Sequence, residues 1–414
     1  MNSQNKPSVD RQGFDAPESP YAWLRLAISL VLSTVGGIGM WSFVVALPAV
    51  QAEFGVPRAD AALPYTLTMI GFAAGGVLNG KLADRFGIVT PVVGAVLMLT
   101  CGYLGSAYSG NIWQLALVHG ILIGVGTSAT FGPLLADVSQ WFTRRRGIAI
   151  AIAASGNYLA GTVWPPILQH FIAETGWRNT YVGVGIFCAV TMLPLVLLLR
   201  RRARPIDSAP AAALAAEAQS ALGLSPRTLQ ILLMIAGVTC CLAMSMPQVH
   251  IVAYCGDLGY GLARGAEMLS VMLGFGVISR IAFGFVSDRI GGLATLLLGS
   301  VLQALALVLY TLFDGLASLY VISALFGLFQ GGIVPSYAII VREYFPPKEA
   351  GTRVGVVLGS TILGMALGGW MSGAIFDATG SYQAAFANGV AWNLVNAAIA
   401  LWLLWPRSRR LASA

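Results

Sequence analysis

The chain is a succession of long apolar runs separated by short polar stretches. A run of ~20 apolar residues is enough to cross the hydrocarbon core as an α-helix. Twelve such runs are present, at about 24–50, 62–83, 88–108, 112–136, 147–172, 178–199, 228–254, 265–286, 292–313, 316–341, 351–376 and 382–404. Most connections are short. The exception is 200–227, which opens with Arg200, Arg201, Arg202 and Arg204 and continues through an Ala/Pro-rich stretch, with six runs on either side. The pattern predicts an all-α integral membrane protein of twelve transmembrane helices in two pseudo-symmetric six-helix bundles, 24–199 and 228–405. A linker, 200–227, joins them, and tails occupy 1–23 and 406–414.

Composition agrees with the pattern and excludes the alternatives. Charged residues make up 10% of the 414 and hydrophobic ones 57%, against about 25% charged in soluble domains. Too little polar material remains to coat a soluble enzyme or a nucleic-acid-binding globule. The 49 glycines suit close helix–helix contacts in lipid. Residues 1–20 are polar and lack an apolar core, so they read as a tail rather than a signal peptide. The five cysteines form no metal-ligand spacing and read as small packing residues. No cofactor is implied.

The net charge of +7 acquires a meaning once each charge is placed. If both termini lie in the cytoplasm, 20 of the 24 basic residues fall on that side, only Arg58, Arg178 and Arg264 face outward, and Arg280 stays within a run. Such a bias orients a multi-pass protein in the plasma membrane.

An internal repeat is visible at several anchors. GKLADRFG at 80–87 recurs as GFVSDRIG at 284–291, an offset of 204 residues. The same offset relates Gly147 to Gly351 and Thr175-Gly176 to Thr379-Gly380, and Pro133 and Pro335 lie 202 apart. Two parallel six-helix units are the architecture of transporters that rock two halves about a central site. The repeated G-x-L-A-D-R-x-G loop resembles that of the major facilitator superfamily. The stretch WFTRRRGIAIAIAASG at 141–156, with Pro133 upstream, resembles the signature of the monocarboxylate transporter family, with the oxalate/formate exchangers as close relatives. In the loops, Asp84-Arg85 and Asp288-Arg289 are candidate gate residues. Their charges can engage the ends of neighbouring helices for up to ~2 kcal/mol when partly buried, or simply mark turns at the membrane border.

Arg280 is the most informative residue. A cation at this depth is costly unless it faces water or a partner, and no Asp or Glu shares its span at helical spacing. Its planar fork matches a carboxylate through two parallel hydrogen bonds. The resemblance implies the same role, because an arginine of the eighth span binds carboxylate in monocarboxylate transporters. Two departures accompany the match. Animal members carry an Asp one turn earlier, where Gly276 stands here, and a Lys after the first-span proline, where Ala49 follows Pro48. Proton coupling must therefore use other groups, with His250 and Asp377 as the candidates. Asn157, Tyr158, Tyr65, Tyr337, Gln330, His119 and His250 are polar residues within spans that can complete a substrate site, since a buried polar group needs a hydrogen-bond partner.

These features predict a proton-coupled symporter of small monocarboxylates of the lactate or pyruvate type, monomeric, with no partner beyond substrate, proton and lipid. Oxalate-type exchange is the runner-up, disfavoured because a dianion calls for a second cation. A membrane-embedded transferase lacks H-E-x-x-H, paired acids or a nucleotide loop in this sequence, and a carboxylate sensor would need an output domain longer than 200–227.

Overall fold

The computed structural model describes residues 18–142, 145–201 and 224–412. Residues 1–17 of the predicted N-terminal tail and most of the linker lie outside the described residues, as do Lys6, Arg11, Arg144, Arg202 and Arg204; the first helix begins at Pro20, inside the predicted tail. Every regular element among the described residues is helical.

Twelve membrane-length helical segments follow in order: α1 (Pro20–Phe54), α2 (Arg58–Phe86), α3 (Val89–Ala107), α4 (Ile112–Trp141), α5 and α6 (146–175 and 177–197), α7 (Pro226–Asp257), α8 (Leu262–Ile290), α9 (Gly292–Leu312), α10 (Leu316–Tyr344), α11 (Pro347–Thr379) and α12 (Tyr382–Ala412). The segment Arg146–Leu197 has 52 helical residues, about 78 Å at 1.5 Å per residue. That is more than twice the hydrocarbon thickness. Gly176, at φ 81° and ψ 159°, turns the chain there and makes it two spans. The final helix continues to Ala412, into the predicted C-terminal tail. An even number of spans puts both described ends on one face of the bundle, here called the terminal face; the opposite one is the far face.

The repeat anchors are the places where a duplicated chain must turn or break. Gly87 and Gly291 (φ 84° and 80°), like Gly176 and Gly380 (φ 81° and 66°), occupy left-handed backbone at matched turns, which L-residues with a Cβ rarely adopt. Pro133 and Pro335 stand in the first turn of helices that restart inside α4 and α10, at Gly132–Trp141 and Ile333–Tyr344. Proline is tolerated there because its missing N–H has no intrahelical acceptor.

Within each half, glycines let helices touch backbone to backbone. A Cβ on Gly124 of α4 would lie 3.1 Å from the Cα of Thr68 in α2, and one on Gly327 of α10 would overlap the carbonyl oxygen of Met272 in α8. These are the same contact in the two copies, and in lipid such close packing supplies what hydrophobic burial cannot. The halves meet through α2 on α11, α5 on α8, and the end of α1 on α7.

Gly327→Ala is expected to push α8 and α10 apart and lower the thermal unfolding temperature of the detergent-purified protein by several degrees. Gly80→Ala, where an added Cβ meets nothing within 4 Å, should leave it unchanged or slightly raised. Equal behaviour of the two variants would refute the packing role.

Candidate functional site

Among the described residues, Arg25, Arg58 and Arg280 reach into the body of the protein. The sequence reading places Arg25 and Arg58 at the membrane borders, yet they are only 1% and 8% exposed. Each has found an acid. Arg25 of α1 donates through Nε and Nη2 to both oxygens of Asp137 in α4, at 2.7 and 2.8 Å, and through Nη1 to the Leu199 carbonyl at 3.1 Å. Arg58 is paired with Asp257 at 2.9 Å. In the Arg25–Asp137 pair both side chains are withdrawn from solvent, whereas Asp257 stands exposed at the helix end and brings its charge to a buried Arg58; a buried charge is tolerated when it is paired.

Arg280 differs. Its Nη1 donates to the Ala154 carbonyl of α5 at 2.7 Å, and its guanidinium lies 3.9 Å from the centroid of the Tyr158 ring. Its Nε, like that of Arg58, is buried without a hydrogen-bond partner, but no carboxylate pairs with Arg280 among the described residues. The cation–π contact lowers the cost of holding the charge there but satisfies none of its N–H donors. Gly276 makes this seat possible: a Cβ at that position would overlap the Tyr158 ring. Where animal relatives are expected to carry an Asp, this chain inserts an aromatic face from the opposite half. The guanidinium is therefore held by its face and one corner, and its Nε has no hydrogen-bond partner.

A second cluster ties the halves together at the far face. Arg58 begins α2, and its backbone N–H and that of Ala59 donate to the two oxygens of Asp377 in α11, at 2.9 and 2.7 Å. A carboxylate on a helix N-terminus is favoured by the helix dipole. The Arg58 guanidinium donates to Asp257 at the end of α7, at 2.9 and 3.3 Å, and to the Tyr382 hydroxyl of α12 at 2.7 Å. It also lies 4.6 Å from the Phe376 ring. One residue of the N-terminal half is thus gripped by three helices of the other. His250 joins the cluster from α7: its Nδ1 is 2.9 Å from the Tyr382 hydroxyl and its Nε2 is 2.8 Å from the Gly369 carbonyl. The donor count is self-consistent for a neutral ring. Nε2–H donates to Gly369, and Tyr382, accepting from Arg58, donates to Nδ1.

From this latch the cross-half hydrogen bonds continue inward. Thr66 Oγ1 donates to the Ala366 carbonyl at 3.2 Å, Ser270 Oγ donates to the Thr162 carbonyl, and Arg280 reaches Ala154. Arg280 lies about 15 Å from the terminal end of α8.

The other predicted residues are dispersed. Asn157 adjoins Tyr158 on α5, and its Oδ1 is buried without a partner. Tyr65 is buried against Gly369, its hydroxyl unpartnered. Gln330 accepts from Gln248 Nε2 at 3.0 Å between α7 and α10, and Tyr337 donates to Asn396 at 2.9 Å inside the C-terminal half. His119 is buried in the N-terminal half, 3.2 Å from Thr68 Oγ1 and among the rings of Phe43, Tyr103 and Tyr181. Asp84, Arg85, Asp288 and Arg289 are exposed at the terminal face. Sequence reasoning missed Arg58, Asp257 and Tyr382, because each falls at the end of an apolar run and resembles an ordinary border residue. Among the described residues no cluster of His, Cys, Asp or Glu suits a metal ion.

Comparisons with known proteins agree with this architecture. Monocarboxylate transporter 13 of Bos taurus is 25% identical over 400 residues, covering 94% of this chain and 91% of its own. The agnestins efflux protein AgnL12 of Paecilomyces divaricatus is 25% identical over 281 residues, 68% of this chain and 63% of its own. Among solved structures, a bacterial homologue of the human lysosomal transporter Spinster, in an inward-facing and unoccupied conformation, superposes with a TM-score of 0.67 at 17% identity, over 94% of this chain and 95% of that one. The sequence profile of the Major Facilitator Superfamily matches residues 29–321 and 268–413. With its duplicated six-helix halves and that match over nearly all of its length, the chain belongs to the Major Facilitator Superfamily.

Proposed function

We propose that this protein is a secondary active transporter that moves small monocarboxylates of the lactate or pyruvate type by alternating access, in symport with a proton. Its terminal face lies in the cytoplasm. The observation that carries the reading is Arg280: a cation at membrane depth, held by an aromatic ring and one carbonyl, with a buried Nε and no acid.

An unpaired guanidinium resists enclosure, because closing the halves around it removes water without supplying a counter-charge. A bound carboxylate accepts from the Nε edge and neutralises the site. A substrate that binds the enclosed state more tightly than the open one shifts the population toward it. A single cation suits a single carboxylate, so a monoanion fits better than oxalate. Transfer of a monoanion together with a proton is electroneutral, which avoids work against the membrane potential.

The far-face latch supplies the proton-sensitive step in this scheme. The groups facing His250 are Tyr382 of α12, Arg58 of α2, Asp377 of α11, and Asp257 and Tyr254 of its own helix. A proton added at Nδ1 turns that nitrogen from acceptor into donor. The Tyr382 hydroxyl must then turn away, and a second positive charge lies near Arg58. Both changes weaken the grip on Arg58 and favour opening of the far face. The loop residues Asp84, Arg85, Asp288 and Arg289 are free to form the opposing latch when the terminal face closes.

Purified protein in liposomes is expected to accumulate labelled lactate when the far side is acidified. Arg280→Gln should lower the uptake kcat/KM by roughly 100-fold, the worth of a bidentate charged pair. Arg280→Lys should recover only part, since it keeps charge but loses the fork. Saturable uptake unaffected by either substitution would sink the role given to Arg280, and electrogenic exchange of oxalate would favour the exchanger reading instead.

The latch is tested separately. With spin labels on Ala52 and Thr379, Arg58→Gln should broaden or lengthen the far-face distance distribution relative to the parent. His250→Asn should abolish acceleration by a pH gradient while leaving gradient-free exchange of labelled for unlabelled lactate in place. A pH profile unchanged in His250→Asn would remove the histidine from coupling.

A further inference from the structure

Helices α5 and α8 lie antiparallel along one seam between the halves. Ser270 of α8 bonds the Thr162 carbonyl of α5, Leu273 fills the space beside Gly161, Gly276 faces Tyr158, and Arg280 reaches Ala154. Along α8 these residues recur every three or four positions, the spacing of one helical face. Arg280 is therefore part of the packing between the halves, and the groups that meet it there belong to the N-terminal half. They are the face of the Tyr158 ring, whose centroid lies 3.9 Å from the guanidinium, and the Ala154 carbonyl at 2.7 Å. The seam leaves Tyr158 only 5% exposed.

The duplicated fold has a matched seam, α2 on α11, and that seam carries none of these groups. The 204-residue offset matches Arg280 to Gly76, Tyr158 to Ile362 and Gly276 to Phe72. Cation, ring and glycine thus occur together in one seam and are all replaced in the other. Gly276 ties them to one another: a Cβ there would overlap the Tyr158 ring, so glycine is what lets the ring reach the guanidinium. Packing alone does not demand this set, because the seam with Gly76 and Ile362 joins the halves as well. An arginine enclosed with nothing against it carries the whole cost of leaving water. A cation–π contact offsets part of that cost, and offsets more of it as the pair is desolvated.

We infer that Tyr158 is a built-in stand-in for the substrate: its ring, with the Ala154 carbonyl, answers Arg280 when the halves close without a carboxylate, and so lets the unloaded carrier cross between its two open forms. Net transport by alternating access needs two crossings per cycle, one loaded and one unloaded. Exchange of one substrate molecule for another uses the loaded crossing alone. In the loaded crossing the carboxylate supplies the counter-charge and the ring adds little. In the unloaded crossing the ring and the carbonyl take its place. Tyr158 is therefore a positioning residue that acts through Arg280 and sets the balance between net transport and exchange. A ring suits this role because its face is partly negative without carrying a net charge, so an incoming carboxylate can displace it. This inference rests on the carboxylate role proposed for Arg280 and concerns the site between substrates.

The test compares efflux of labelled lactate from loaded proteoliposomes, at equal pH on both sides, into medium without lactate and into medium with saturating unlabelled lactate. The first flux needs the unloaded crossing and the second does not. Tyr158→Leu should raise the ratio of exchange to net efflux roughly tenfold over the parent, the worth of a desolvated cation–π contact. Tyr158→Phe keeps the ring and should leave the ratio near the parent's. Gly276→Ala displaces the ring without altering it and should shift the ratio in the same direction as Tyr158→Leu. If both fluxes fall together and the ratio stays at the parent's value in Tyr158→Leu and Gly276→Ala, Tyr158 is a packing residue or a substrate contact and the inference is overturned. A shift in Tyr158→Phe as large as in Tyr158→Leu assigns the effect to the hydroxyl and overturns it too. Failure of the carboxylate reading looks different: no saturable flux in the parent, or fluxes indifferent to Arg280→Gln. In that event spin labels on Ile148 and Ile290, at the terminal ends of α5 and α8, still read closure of the substrate-free protein. A longer or broader distance distribution in Tyr158→Leu than in the parent supports the stand-in, and an identical one overturns it.

Discussion

In a hydrocarbon solvent every charge and every backbone polar group has to be answered from within the protein, and the three inward arginines among the described residues meet that demand to different degrees. The backbone meets it by being helical. Arg25 meets it with Asp137 and Leu199, and Arg58 with Asp257 and Tyr382. Arg280 meets it only in part, on the face of Tyr158 and the carbonyl of Ala154. In the transport scheme proposed above, this residual unmet charge is what an anionic ligand would answer when the halves close. Had Gly276 been an acid able to pair with Arg280, that charge would have been answered inside the protein.

Duplication explains both the symmetry of the scaffold and where function departs from it. The two copies share their turn glycines, their restarted fourth helices and their closest glycine contacts, because those positions serve backbone geometry that both copies need. They differ at the side chains that face the interface. Arg280 has no cationic counterpart at the matched position of α2, which is Gly76. Phe283 packs against the restart of α10, while the matched Asn79 donates to Val125 and Ser128 of α4. The latch is equally one-sided, with a single arginine of the N-terminal half held by α7, α11 and α12.

The spans, their two-by-six grouping and the singular position of Arg280 were legible in the sequence. Length and apolarity report membrane crossing directly, and a cation at depth is conspicuous where charges are few. Other elements were hidden. Arg58 and Asp377 lie 319 residues apart and look like unremarkable border charges, so their pairing across the halves leaves no local pattern. His250 looked like a cavity residue, yet the structure bonds both of its nitrogens, to Tyr382 and Gly369.

The sequence by itself determined the solvent this protein lives in, the number and grouping of its spans, and the residue whose charge most needs explanation. These properties follow from composition and spacing along one dimension, where hydrophobicity and helical period act. Only the tertiary structure decided which charges are already answered and which are not. Partnership between helices depends on which faces meet, and helices distant in sequence meet only when the two halves are packed together. The same packing decided that a glycine at position 276 admits a tyrosine ring from the opposite half.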